Sequence, residues 1–221
     1  MILAVHQYRD RIEAGQVLAR QLAHYASRVD TLVLALPRGG VPIAAEVAAY
    51  LNAPLDVFLV RKLGLPGQPE LAMGAIASGG VRVLDDETIE QHGVTPGQVA
   101  AVTARETAEL ERQQRLYRGN RPPPPITGRV VIVVDDGLAT GYSMHAAVVA
   151  IHREQPAWLV VATPVGSIEA CNDLAQEVHE VVCPLRPDPL QAVGLWYDHF
   201  SPTDDDEVRA TLRKVAGLQR P

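Results

Sequence analysis

Two hydrophobic rhythms alternate along the chain. One is the short apolar run: TLVLAL (31–36), LDVFLV (55–60), VVIVV (130–134), WLVVAT (158–163) and the weaker VHEVVC (178–183). Continuous runs of this length suit strands covered on both faces. The other rhythm is helical. In DRIEAGQVLARQLAHYASR (10–28) the apolar positions Ile12, Val17, Leu18, Leu22 and Tyr25 share a face, and VPIAAEVAAYL (41–51) carries Pro42 in its first turn. Helices are also predicted over 143–153 and 167–176. A long one of weak amphipathicity covers 95–119 and is stopped by the stiff RPPPP of 121–125. DDDEVRATLRKVAGL (204–218) predicts a terminal helix with acids at its start, where the helix dipole favours them. LGLPGQPE (63–70) reads as a mobile loop, and AMGAIAS (72–78) with VRVL (81–84) as a hairpin around Gly79-Gly80. Strand, loop, helix, strand is the βαβ order. It predicts an α/β fold with a mostly parallel, twisted sheet flanked by helices and ligands at the carboxyl ends of the strands.

Composition narrows the classes. The chain has 221 residues, 47% of them hydrophobic, and a net charge of −6. That charge argues against nucleic acid as a partner. No run approaches the roughly 18 uncharged apolar residues of a membrane span. MILAVHQYRD lacks a basic segment before its apolar run, so no signal peptide is expected and the cytoplasm is the expected location. Cys171 and Cys183 are too few for a disulfide framework and read as reduced thiols. The seven histidines show no zinc-ligand spacing. Arg105, Arg112, Arg115 and Arg118 alternate with Glu106, Glu109 and Glu111, a pattern read as a solvated or inter-subunit face.

The chemistry gathers in VVIVVDDGLATGYS (130–143). A strand delivers two like charges, Asp135 and Asp136, into a loop bracketed by glycines, and neither can be buried cheaply without a partner. The turn from Gly137 through Leu138, Ala139, Thr140, Gly141 and Tyr142 to Ser143 points backbone amides, two hydroxyls and a helix start at one spot, which suits a phosphate. Hydrogen bonds to an ionised group contribute about 1.5–3 kcal/mol each, so four or five anchor it. The aspartates suit sugar hydroxyls, or a magnesium ion held through water. Taken alone, Asp-Asp-Gly is more often a simple turn; the full string after a strand reverses that balance. Neither a dinucleotide fingerprint nor a P-loop is present. Two further patches lie at strand ends. LALPRGGVP (34–42) offers Pro37, the fork of Arg38 and the amides of Gly39 and Gly40 for a second anion, or is an ordinary turn. Arg61 and Lys62 open the 63–70 segment, as anion ligands or as solvated charges.

VVIVVDDGLATGYS resembles the phosphoribosyl pyrophosphate (PRPP) motif of type I phosphoribosyltransferases, and the resemblance covers about residues 30–200 in order and spacing. It implies a single domain over 1–221, with an insertion at about 85–125 and a hood at about 184–202. It also implies transfer of 5-phosphoribosyl from PRPP to a nitrogenous base with Mg2+, releasing pyrophosphate, and a homo-oligomer, a dimer, is expected. Carried over, Asp135 and Asp136 contact the ribose hydroxyls and, through water, the metal; Gly137–Ser143 hold the 5-phosphate; Pro37, Arg38, Gly39 and Gly40 hold pyrophosphate, with a cis Pro37–Arg38 bond. Arg61 and Lys62 resemble the pair that opens the catalytic loop of the orotate branch. Trp196, Tyr197 and Phe200, in PLQAVGLWYDHF (189–200), would stack on the base, or else pack a C-terminal corner. Ala139 stands where the 6-oxopurine branch has an aspartate, which disfavours hypoxanthine or guanine as acceptor; adenine and uracil enzymes also carry Ala-Thr-Gly here. A non-catalytic PRPP or nucleotide sensor, and a PRPP-binding domain serving a neighbouring enzyme, remain open alternatives.

Overall fold

The computed structural model describes residues 7–218 except Asn120; the side chains of Glu70 and of residues 216–218 are not described. The N-terminal apolar run thus lies outside the described residues through His6.

A five-stranded parallel sheet carries the fold. Its strands are β1 (Thr31–Ala35), β2 (Leu55–Val57), β6 (Val130–Val134), β7 (Trp158–Ala162) and β8 (Glu180–Val182), in the order β2-β1-β6-β7-β8. Alternate residues of the apolar runs serve opposite faces, which is why the runs are unbroken. Val33, Ala35, Ile132, Val134 and Val160 pack on one side with α1 (Arg11–Gln21) and α2 (Gly40–Leu51). Leu32, Leu34, Val131, Val133, Leu159 and Val161 pack on the other with α5 (Tyr142–Arg153) and α6 (Ile168–Leu174). Each such aliphatic side chain contributes about 1.5–3 kcal/mol on burial.

The segment read as a mobile loop is instead structured. After β2 the chain enters a separate antiparallel sheet of β3 (Val60–Leu65), β4 (Gln68–Ala77) and β5 (Val81–Leu84). Pro66-Gly67 is only the tip of the β3–β4 hairpin, with Gly67 at φ +81°. The ladder shifts register around Gly64, where an added Cβ would lie 2.5 Å from the Pro69 carbonyl. The glycine permits the irregularity, and its composition hid the strand. The expected β4–β5 hairpin around Gly79-Gly80 is present.

Two helices follow, α3 (Asp86–Gln91) and α4 (Pro96–Arg118). The expected helix at 95–119 is there, with a Thr95–Gln98 capping box, whereas α3 was not anticipated. α4 is not a wholly solvated face: Glu106 and Arg118 are buried. Arg118 Nε lies 3.1 Å from Asp56 and its Nη2 donates to the Val57 carbonyl, which ties α4 to β2. α7 (Asp205–Leu218) closes the chain and buries Val208 and Leu212. The helix expected over 10–28 ends at Gln21, with a 3-10 turn at Ala23–Tyr25. Among the described residues no helix is long and apolar enough to cross a membrane.

Candidate active site

β1 and β6 are neighbours, with Ala35 paired to Val134, so the loops leaving their carboxyl ends lie side by side. The first carries Pro37–Gly40 and the second Asp135–Gly141. The Pro37–Arg38 peptide is cis, the conformation expected of it. The contact between the loops is close enough to require glycine. A Cβ on Gly39 would stand 1.8 Å from an Asp136 carboxylate oxygen, and one on Gly40 would stand 2.6 Å from the Val134 carbonyl. A third glycine is constrained from the hood: a Cβ on Gly137 would meet the Val193 side chain at 2.4 Å.

The acidic pair is partly buried. Desolvation, then repulsion from Asp136, pushes the Asp135 carboxyl well above its usual range. Asp136 is raised as well, chiefly by burial, although Arg11 opposes this. Arg11 was not anticipated. Its Nη2 and Nε donate to one Asp136 oxygen at 2.7 and 3.0 Å, and its Nη1 donates to the Ser201 carbonyl at 2.7 Å. The guanidinium also lies 3.9 Å from the centroid of Phe200. Tyr197 completes this support: its hydroxyl donates to the Asp136 carbonyl at 2.7 Å.

The hood aromatics therefore answer to the packed-corner alternative more than to base stacking. Tyr197 is buried between Tyr8 and Phe200, at centroid distances of 5.6 and 4.8 Å, and Phe200 lies beneath Arg11. Trp196 is half-buried and packs on the core. Another hood segment facing the second loop is Pro187–Leu190. It borders a cavity of about 510 Å3 with Ala139, Thr140, Tyr142 and Ser167.

The loop from Gly137 to Ser143 is pinned at Leu138 and Ala139 and largely exposed beyond them. Leu138 is buried and its amide donates to the Val165 carbonyl at 2.9 Å. Ser167 Oγ donates to the Ala139 carbonyl at 2.9 Å. Ala139, Thr140, Tyr142 and Ser143 are exposed. α5 begins at Tyr142 behind Gly141, whose φ of +74° is left-handed. No side chain caps α5, nor α2 behind Gly39. Elsewhere Asp10, Asp85, Thr95 and Ser167 cap α1, α3, α4 and α6, and Asp204 accepts from the Glu207 amide at the start of α7. Among the described residues, the two α-helices without a side-chain cap are those that start at this site.

Arg38 is half-exposed, its Nη1 3.6 Å from Asp205, whose carboxylate also accepts from the Tyr117 hydroxyl at 2.5 Å. Arg61 and Lys62 lie within β3, paired with Ile76 and Ala75. Arg61 is held by Glu106, at 2.6 Å from Nη2 and 3.0 Å from Nε. Burial alone would raise Glu106, but hydrogen bonds from Arg61 and Arg105 hold it below the usual carboxylate range. The two cysteines are free thiols. Among the described residues there is no cluster of three or more His, Cys, Asp or Glu able to hold a metal ion.

Comparison with known proteins agrees with this arrangement. The family described as phosphoribosyl transferase domain matches residues 3–183. Proteins from two Mycobacterium tuberculosis strains, provisionally named phosphoribosyl transferases, are 43% identical over 208 residues, or 94% of this chain and 47% of theirs. The chain thus spans about half the length of these curated relatives. The solved structure of TT1426 from Thermus thermophilus is 41% identical, with a TM-score of 0.82 over 94% of this chain and 98% of that one. A protein from Aquifex aeolicus shares the fold at 12% identity, with a TM-score of 0.50 over 80% of this chain and 74% of its own. By its matched residues and its fold, the chain belongs to the phosphoribosyltransferase family, a class of pentosyltransferases.

Proposed function

We propose that the protein transfers the 5-phosphoribosyl group of PRPP to a nitrogenous base and releases pyrophosphate. The observation that carries this reading is the convergence of two helix starts without side-chain caps, those of α2 and α5, on either side of a partly buried acidic pair. Helix N-termini attract anions through free amides and the helix dipole. A molecule with phosphates at two ends and a diol between them matches that order of charges.

In this reading the amides and hydroxyls of Ala139–Ser143 hold the 5-phosphate. Arg38, Gly39 and Gly40 hold pyrophosphate. Asp135 and Asp136 accept from the ribose hydroxyls, with Arg11 and Tyr197 fixing the orientation of Asp136. As the bond from the anomeric carbon to pyrophosphate breaks and the bond to the base nitrogen forms, charge grows on the leaving group. Preorganised cations act there more strongly than in the ground state. Arg38 is one; Arg61 and Lys62 are proposed as the others, acting once Arg61 leaves Glu106. A magnesium ion fits the donor set, because one or two carboxylates plus substrate oxygens are its usual ligands and the described residues offer no all-protein cage. When bound it supplies charge neutralisation to the pyrophosphate. The base is proposed to sit toward the hood cavity beside Ala139, the enzyme to act as a homodimer in the cytoplasm, and Trp196 to be the one hood aromatic left to approach a base.

A non-catalytic PRPP-binding regulator is the second reading, favoured by the pairing of Arg61 with Glu106. Pyrophosphate release from Mg-PRPP, measured against a panel of purine and pyrimidine bases, decides between them. Release with any base supports the transferase. Binding of PRPP without release for every base supports the regulator, and absence of PRPP binding overturns both.

A further inference from the structure

Away from this site, the end of α4, the chain beyond it and α7 enclose another cavity, of about 360 Å3. Five arginines line it: Arg115 and Arg118 from α4, Arg121 just after it, and Arg209 and Arg213 from α7. No carboxylate is among the lining residues, although the whole chain carries a net charge of −6. Three of the arginines have acidic partners outside the cavity. Arg115 lies 3.7 Å from Glu111, Arg118 lies 3.1 Å from Asp56 and Arg209 lies 3.1 Å from Asp206. Among the described residues Arg121 donates its side chain only to the backbone carbonyls of Arg118 and Tyr117, at 3.4 and 3.5 Å. Arg213 forms no ion pair among the described residues. Arg118 is 4% exposed, and its Nη1 is buried without a hydrogen-bond partner among the described residues.

Like charges gathered around one hollow repel, and a buried guanidinium nitrogen without an acceptor is costly. A multivalent anion relieves the first of these conditions. We propose that this cavity is a second anion site that binds an oligophosphate, either free or as the phosphate chain of a nucleotide. Guanidinium forks match phosphate oxygens in pairs. The volume lies at the small end of the range for ligand cavities, enough for a short phosphate chain. A single carboxylate would match only one of the two arginines, Arg121 and Arg213, that have no acidic partner among the described residues. The cavity also has a route to the loops described above. Tyr117 lines it and donates at 2.5 Å to Asp205, which stands 3.6 Å from Arg38.

The test reads binding and so stands apart from any transferase activity. Inorganic tripolyphosphate is titrated calorimetrically, without divalent metal, into the wild type, Arg121→Gln/Arg213→Gln and Arg38→Gln. Arg121 and Arg213 are exposed, so the double variant should keep the wild-type circular dichroism melt. A saturable site should weaken about 100-fold in the double variant, about tenfold per arginine, and that same site should persist in Arg38→Gln. Wild-type affinity in the double variant, or loss of all binding in Arg38→Gln, overturns the proposal. Repeating the titration with a nucleoside triphosphate separates the sources: tighter binding than tripolyphosphate assigns a nucleotide, and equal binding assigns the free oligophosphate.

Discussion

Asp135 holds its proton to a higher pH in the folded protein than in the unfolded chain. Because its folded pKa is raised, its contribution to stability is greatest below the ordinary value of 3.8 and is lost as pH climbs from there through the folded pKa. Asp135→Asn removes that slope. Thermal melts from pH 5 to pH 8 should show the variant gaining on the wild type with rising pH. The same variant should lose Mg-PRPP binding by calorimetry. Wild-type affinity would remove the carboxylate from the ligand role. Gly39 makes a complementary case. Its contact with Asp136 leaves no room for a methyl group, so Gly39→Ala should cost about 1–3 kcal/mol in urea unfolding and displace the carboxylate. Gly67→Ala, at an open hairpin tip with nothing within 4 Å of the added carbon, should leave ligand binding unchanged.

Between elements, single arginines act as ties. Arg11 joins α1, the hood and the acidic pair, with a side chain 11% exposed against 18% for Asp136. Arg11→Met should leave Asp136 buried without its cation and cost about 2 kcal/mol, somewhat below the penalty for breaking a fully buried pair. The readout specific to this tie is a larger loss of Mg-PRPP affinity than Arg9→Met, an exposed neighbour, produces. Arg61 ties β3 to α4. If it serves the leaving group, Arg61→Ala should lower single-turnover rate by about 100-fold or more with little change in PRPP affinity, while Glu106→Gln, which frees Arg61, should retain or raise the rate. Equal losses of binding and rate in Arg61→Ala would leave Arg61 a structural residue. Neither tie was legible in the sequence. Arg11 and Asp136 are 125 positions apart and Arg61 and Glu106 are 45 apart, and no local pattern marks such partners. The parallel strands and the Asp-Asp-Gly loop were legible because they depend on local composition: unbroken apolar runs for strands buried on both faces, and glycines where backbones meet. The hairpin at 60–77 was obscured for the same reason, since its Gly and Pro content is also that of a loop.

For the molecule as a whole, a ligand that meets both loops should stabilise the fold by mass action. At about 100 times its dissociation constant, Mg-PRPP should add about 2.7 kcal/mol, which thermal melts would register as a shift of several degrees; the shift should vanish in Asp135→Asn. The two helix starts behind Gly39 and Gly141 give that shift a further meaning. In the other helices a side chain encoded in the sequence finishes the first turn. In α2 and α5 no side chain does so; the Gly40 and Val41 amides of α2 donate to the Leu36 and Arg38 carbonyls, and in the proposed reading a phosphate of the substrate completes each turn. If that reading holds, substrate supply is part of the protein's folding environment: without Mg-PRPP these two helix ends should exchange their amide hydrogens faster than with it and be the first places to fray.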